Sequence, residues 1–425
     1  MALKVIVNCL LALFCWANIA LAQEIRVAVV QGQYSAEISC ERSFVVIDNA
    51  TKKHIEFAEG KYFLHIDSNK LQIKDYSFSK NITFQTENNA PIKVNKRSYA
   101  GNLQGMLDKD KLLIVNSLEL EDYLKYVMPY KTMPIWPDAA MMAQIIAARS
   151  YALHMIAQNN TLYDISAYDR ELTYKGSEAE KPAISKMIEK TNGLYLSDQY
   201  GKPAMAITTS SSGGITESYM AAYGKDISYL MSVKDFDQDS PDYQWEYELS
   251  PVLLQTLLEQ SGYDIGKIQS LQLSPLNEPA NDRTATGRVK YLNISGENGT
   301  YQISGYELMK ILSLNSNLFS IAVKTPLPDN LEVPIENYFG MEIGRKDIEI
   351  KVNEEKKPVW QGISKKYHLL KGNKEEKILF YGYGKGHGVG LSSWGAKGMA
   401  DASPANTFKI ILQHYYPGTV LNKLQ

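Results

Sequence analysis

Three cysteines are all that this chain of 425 residues contains, and two of them, Cys9 and Cys15, lie in an apolar N-terminal segment. The remaining Cys40 cannot close an internal disulfide or supply a cysteine-rich metal site. Charge of one sign is also lacking: the net charge is −2 with 22% charged residues, which excludes a polybasic nucleic-acid binder. After the N-terminus there is no second long apolar run, no repeat of fixed period and no low-complexity tract. No P-loop ending and no G-x-G-x-x-G in a βαβ setting is present. A chain this long exceeds one typical core, so more than one unit is expected.

What is present begins with "MALKVIVNCLLALFCWANIALAQ". Lys4, a short apolar run and Ala20-Leu21-Ala22 have the order of a secretory signal, with cleavage after Ala22 and a mature N-terminus at Gln23. The apolar run is short for a membrane anchor. The expectation is an exported protein of the periplasm or cell envelope, with no membrane span after cleavage. Tyrosine is abundant, 28 in all. Tyrosines stack on sugar faces, and they are also common strand residues.

From Glu24 the pattern is β-rich: "IRVAVV", "SFVVID", "YFLHID" and "LLIVNSLEL" alternate or run apolar between polar turns. The period then changes. Leu120, Tyr123, Leu124, Val127 and Met128 follow helical spacing, and Pro129 ends that helix. Pro137 and Asp138 suit the start of another, "DAAMMAQIIAARSYALHMIAQ", apolar nearly all round and therefore buried. Gln144 and Arg149 stand out inside it, because a buried Arg must be paired. They serve either a structural pair or a site. A helix closed by Asn192-Gly193 follows. "AMAITTSSSGGITESY" forms a turn around Ser210, Ser212, Gly213 and Gly214; its N–H groups either face a ligand or simply close a hairpin. "KDIEIKVNEEKKPVWQGIS" reads as strands with a charged tip. Near the C-terminus, "FYGYGKGHGVGLSSWGAKGMA" alternates Gly382, Gly384, Gly386, Gly388 and Gly390 around His387, with Ser392 beyond. Such glycine density permits close backbone approach to a ligand or to another segment. His387 is a site residue or a structural one.

Together "IRVAVV", "VNSLELEDYL", "MP-IWP", "AQIIAARSYAL", "SSSGGITES", "YLMSVKDFDQDSP", "GRV", "GYGKGHGVGLSSWGAKGMA" and "ILQHYYPGT" resemble, in shared order, the stage II sporulation protein D / amidase enhancer (SpoIID/LytB) family. The resemblance implies action on bacterial cell-wall glycan. Some members are lytic transglycosylases, which need one carboxylic acid to protonate the glycosidic oxygen and then act as base. Others enhance a cell-wall amidase. The family's acid, a Glu in its "V-V-x-x-E-M-P-x-x-W-P" pattern, falls on Lys131 here, or on Thr132 with a shift of one residue. Ala139, Met142 and Thr209 also depart from the family's pattern. Where some members hold a metal with His and Cys, this chain has Arg170 and Glu171, so no metal and no cofactor is expected. A lysine ammonium, at about 10.4 in model peptides, is too weak an acid for this work. Either catalysis is lost or weakened, or a carboxyl such as Glu121, Asp138, Glu217 or Asp235 has taken over, or the lysine is tuned by its surroundings.

The expected fold is mixed α+β, with β-rich regions and flanking helices around one glycan cleft. That cleft is lined by the Lys131 loop, the Ser210–Gly214 turn and the Gly386–Gly390 loop. The expected divisions are a signal peptide at 1–22, a β-rich region at 23–118, a core at 119–250 and an α+β region at 251–425. The expected partners are peptidoglycan strands and a cell-wall amidase, and no nucleic acid. Gln144, Arg149, Ser210, Ser212, Gly213, Gly214, His387, Gly388 and Ser392 are the expected substrate contacts.

Overall fold

The structure is a computed structural model that describes residues 23–276, 278–324, 330–336, 342–349, 366–370, 372 and 375–424. The expected signal segment, 1–22, and the charged tip after Glu349 lie outside the described residues. The architecture is α+β and strand-rich, as the alternation of periods predicts. The chain divides into two compact units, Met1–Ala206 with Thr419–Gln425, and Ile207–Gly418. The units part between Ala206 and Ile207, and the C-terminal strand Val420–Lys423 pairs with Leu194–Ser197 of the first.

The first unit is built on two sheets. In the seven-stranded sheet the order is Ile165–Ser166, Glu24–Gln33, Lys111–Glu119, Asn102–Asp108, Asn81–Thr86, Phe44–Asp48 and His54–Phe57. In Glu24–Gln33 the successive residues Val27, Ala28, Val29 and Val30 are all buried, so both faces are covered there, which explains why "IRVAVV" is apolar on successive residues rather than strictly alternating. A six-stranded sheet contains Ser35–Cys40 and Gly60–Asp67. Ser35–Cys40, also paired on both sides, keeps the alternation of one wetter and one dry face.

Lys111–Glu119 runs straight into helix α1 (Leu120–Val127). Leu120, Tyr123, Leu124 and Val127 form its buried face. A 3-10 turn, Met128–Tyr130, follows, with Pro129 near its start, where a missing N–H costs no hydrogen bond. Helix α2 (Asp138–Ala157) begins directly after Pro137 and is buried on every side through its centre. Helix α3 (Pro182–Lys190) leads through Gly193 into Leu194–Ser197, which pairs with Val420–Lys423.

The second unit has a three-stranded sheet (Gln244–Leu249, Lys377–Tyr383, Phe319–Lys324) and a four-stranded one (Gly299–Ser304, Tyr291–Gly296, Ile268–Gln272, Tyr367–Leu369). Their apolar faces share a core that includes Leu254, Leu258, Ile294, Leu308, Phe319 and Phe380. Its helices are α4 (Tyr219–Tyr223), α5 (Pro251–Gln260), α6 (Gly305–Ile311), α7 (Ser393–Ala402) and α8 (Phe408–Tyr415). Serines cap most of them: Ser218, Ser250, Ser304 and Ser392 each accept an N–H from the first turn.

Candidate functional site

The loop between α1 and α2 is folded on itself. Lys131 N–H and Thr132 N–H both donate to the Met128 carbonyl, at 2.9 and 3.0 Å, and Trp136 N–H donates to Met133 O at 3.0 Å. Trp136 is buried, while Tyr130, Met133 and Ile135 are exposed. Lys131 Nζ donates to the backbone carbonyl of Glu171 and stands 3.6 Å from its Oε2. The two side chains are 21% and 12% exposed, so the pair is largely shielded from water. The turn that carries Glu171 is held by Asp169, whose Oδ1 accepts the N–H groups of Glu171 and Leu172. Burial raises the Asp169 carboxyl above its ordinary range, against those two hydrogen bonds. Tyr151 of α2 donates to its Oδ2.

Gln144, on the buried face of α2, reaches this loop. Its Nε2 donates to Thr132 Oγ1 at 3.4 Å and to Ala140 O at 3.2 Å. Its Oε1 has no donor among the described residues. Arg149 does not reach the loop in this way. Its guanidinium is fully buried and forks onto Glu121, with Nε–Oε1 and Nη2–Oε2 both at 2.7 Å. Nη1 donates to Leu194 O at 2.9 Å. Arg149 thus ties α1 and α2 to the strand after α3, and of its two sequence readings the structural pair is the one seen. Glu121 is held by that pair, and Asp138 by Lys190 at 2.8 Å. Neither is placed as an unpaired acid.

The Ser/Gly turn and the His/Gly loop belong to the second unit. Thr208–Thr209 runs parallel to Leu391–Ser392, and Ser211 pairs with Lys385. The turn is rich in donors, as its composition predicts, but an internal anion receives them. Gly213 N–H and Gly214 N–H donate to the Asp237 carboxylate at 2.8 and 2.9 Å, and Ser211 Oγ donates to it as well. Ser212 Oγ and Tyr415 OH donate to Asp235. Burial, followed by the charge of Asp237, holds the Asp235 carboxyl above its usual range. Ser392 is buried and caps α7 through Gly395 N–H. Ser210 keeps partial exposure, and its carbonyl accepts Trp394 N–H. Ser212, Gly213, Gly214 and Ser392 therefore have partners within the fold, and Gly213 and Gly214 keep partial exposure.

In the glycine loop, Gly388 N–H donates to Thr209 Oγ1 and Gly388 O accepts Glu217 N–H. Gly388 has φ +77°, and a Cβ there would lie 2.1 Å from Arg288 Nη2. Only glycine lets the loop rest on that guanidinium. His387 is partly exposed beside Tyr223, ring centroids 6.2 Å apart. Its Nδ1 accepts Val389 N–H, so the neutral ring carries its proton on Nε2. Arg288 and Asp237 were not singled out from sequence. "GRV" and "DFDQDSP" marked their neighbourhoods, but only burial shows that they are counter-charges inside one core.

Among the described residues no group of three or more His, Cys, Asp or Glu side chains is arranged to hold a metal ion. The Arg170–Glu171 segment, with a cation in one position and a lysine-paired carboxylate in the other, does not fit one. No helix of the described residues is long and apolar enough to cross a membrane.

The helical part of the first unit, with the Lys131 loop, lies within the segment 108–197 that matches the family model "SpoIID: Stage II sporulation protein". The chain is 24% identical over 343 residues to an uncharacterized protein of Brachyspira hyodysenteriae, covering 80% of this chain and 76% of that protein. It is also 24% identical over 388 residues to the amidase enhancer of Bacillus subtilis, covering 88% of this chain but 52% of that protein, about half its length. A strand-rich α+β protein with a folded loop between two core helices is the class that these features define. The chain is similar to the stage II sporulation protein D / amidase enhancer (SpoIID/LytB) family.

Proposed function

We propose that this protein binds and remodels peptidoglycan in the bacterial envelope, and that transglycosylase chemistry at the Lys131 loop is lost or weakened. The observation that carries this reading is the Lys131–Glu171 pair. The position that the family resemblance assigns to the acid holds an ammonium, and the neighbouring carboxylate is its ion-pair partner. An ion pair thus stands where the resemblance implies a free acid. The Bacillus relative's name supports a second element: a cell-wall amidase as partner. Export through the 1–22 segment completes the reading. The test is to incubate the mature protein with intact and with denuded peptidoglycan. Co-sedimentation without new anhydro-sugar ends is expected; failure to sediment with either overturns the proposal.

One observation favours a second reading, an active transglycosylase. Glu171 brings a carboxyl within the spacing at which paired groups work in glycosidases, about 5 Å. On that reading, anhydro-sugar ends form and Glu171→Gln abolishes them.

A further inference from the structure

The second unit contains a cavity of about 410 Å³, with His387 and Glu217 on its wall. This is within the size of ligand pockets, roughly 300–1,000 Å³. Glu217, Tyr223, Thr284, Arg288, Tyr306 and His387 are among the residues lining it. The strand register explains how they meet: Glu217 runs beside Gly388 and Val389, so its side chain and His387 belong to adjacent backbone segments.

The wall is mixed in a specific way. Tyr223 is 47% exposed and packs at a tilt against Tyr219, with centroids 4.6 Å apart, and Tyr306 comes from α6, with Lys310 Nζ 4.4 Å from its ring centroid on one face. These are aromatic faces. Between them lie groups that bond hydroxyls. The Glu217 carboxylate is buried and accepts Ser218 N–H on Oε1 and the Thr286 hydroxyl on Oε2. Two carboxylate oxygens offer about four acceptor positions, so each retains one. Arg288 is buried too, and burial pushes its guanidinium down to about 10. Its Nη groups donate to Asn317 and Ser212, but its Nε–H has no acceptor among the described residues. A buried N–H without a partner calls for one, and a ligand oxygen in the cavity that Arg288 lines would serve.

An apolar face flanked by a ring of hydroxyls is the shape of a pyranose. We infer that this cavity is a saccharide subsite, in which Tyr223 and Tyr306 cover the faces of one sugar ring while Glu217 and Arg288 bond its hydroxyl and carbonyl oxygens. The inference rests on the peptidoglycan reading for the kind of sugar, an N-acetylated hexosamine. It assigns that sugar to the second unit.

The test is calorimetric titration of the full mature chain with tetra-N-acetylglucosamine. Tyr223→Ala and Tyr306→Ala should each weaken binding about tenfold or more, the factor that accompanies loss of one good aromatic contact. Tyr306→Phe keeps the ring and should bind as wild type, which separates the ring face from the hydroxyl. Tyr200→Ala, an exposed tyrosine of the first unit, serves as a control and should bind as wild type. Unchanged affinity in both alanine variants, with unchanged melting temperature, overturns the subsite. A wild-type protein that ignores the tetramer yet sediments with peptidoglycan also overturns it, and leaves the peptidoglycan reading intact. A wild type that binds neither overturns both.

Discussion

Lys131 Nζ stands 3.6 Å from Glu171 Oε2, across 40 residues of chain. Exchanging the lysine for an acid would put two carboxyls where there is now an ion pair. Like charges that close cannot both ionise at low cost, so one of them keeps its proton to higher pH.

Lys131→Glu is therefore expected to create or raise anhydro-sugar release from denuded glycan, measured by mass spectrometry of the products. A general acid is typically worth about 10²–10⁴-fold, and the gain should fall short of that because Ala139, Met142 and Thr209 also depart from the family's pattern. Adding Glu171→Gln to this variant removes the like charge, so the alkaline limb of the activity, where the acid loses its proton, should move to lower pH. Wild-type activity that Lys131→Glu abolishes would mean that the lysine itself does chemistry.

Removing Glu121 leaves Arg149 with its charge and no counter-ion. Glu121→Ala should cost about 3 kcal/mol, the lower end of what breaking a buried pair costs, since Glu121 itself keeps some contact with water. Chemical denaturation reads this directly. A stability change below about 0.5 kcal/mol, the scale of exposed pairs, would show that the fork does not hold the helices together.

Asp237 should matter to the second unit more than its loop position implies. Asp237→Asn swaps one acceptor oxygen for a donor facing the N–H groups of Gly213 and Gly214 or the Ser211 hydroxyl. The expected loss is about 2 kcal/mol, the cost of leaving buried groups unsatisfied. Amide exchange at Gly213 and Gly214 should accelerate. Unaltered exchange there would contradict the assignment of Asp237 as the turn's anion.

Acid sensitivity of the first unit has a named contributor in Asp48. Burial opposes its charge, but N–H and hydroxyl donors from Ser79, together with Thr51 and Ala50 N–H, outweigh burial and bring the carboxyl down to about 2. The folded value lies below the unfolded one, about 3.9. The stabilisation is thus present above pH 4 and fades as pH falls from there towards 2. With Asp48 only 4% exposed, it amounts to about 2 kcal/mol. Urea denaturation of wild type and Asp48→Asn should show a gap of that size at pH 6 that narrows below pH 4. A gap that stays constant across this window would refute the linkage.

Much of the first unit was legible because its signals are local. Pro129 and Pro137 mark the ends of two helices through their own sterics, and the change from alternating to helical spacing at Leu120 coincides with the start of α1. The composition of α2 implied burial, and burial implied a partner for Arg149. That the partner is Glu121 was not legible, since no local rule links residues 28 apart. The Ser/Gly turn was read as rich in donors, and it is. Its occupant, Asp237, comes from 23 or more residues onward, so the same sequence pattern served a ligand or an internal carboxylate equally well.

Residue order by itself determined the α+β class, the helix–loop–helix around Lys131 and the glycine spacing around His387, because periodicity, proline geometry and the missing Cβ act within a few residues. Tertiary structure alone decided which charges meet. Glu171 faces Lys131, Asp237 fills the turn, and Glu217 and Arg288 line a common cavity, across separations of tens of residues. The physical reason is that a buried charge must find a counter-charge or a donor wherever the packed chain offers one. Packing, not spacing along the chain, sets where that is.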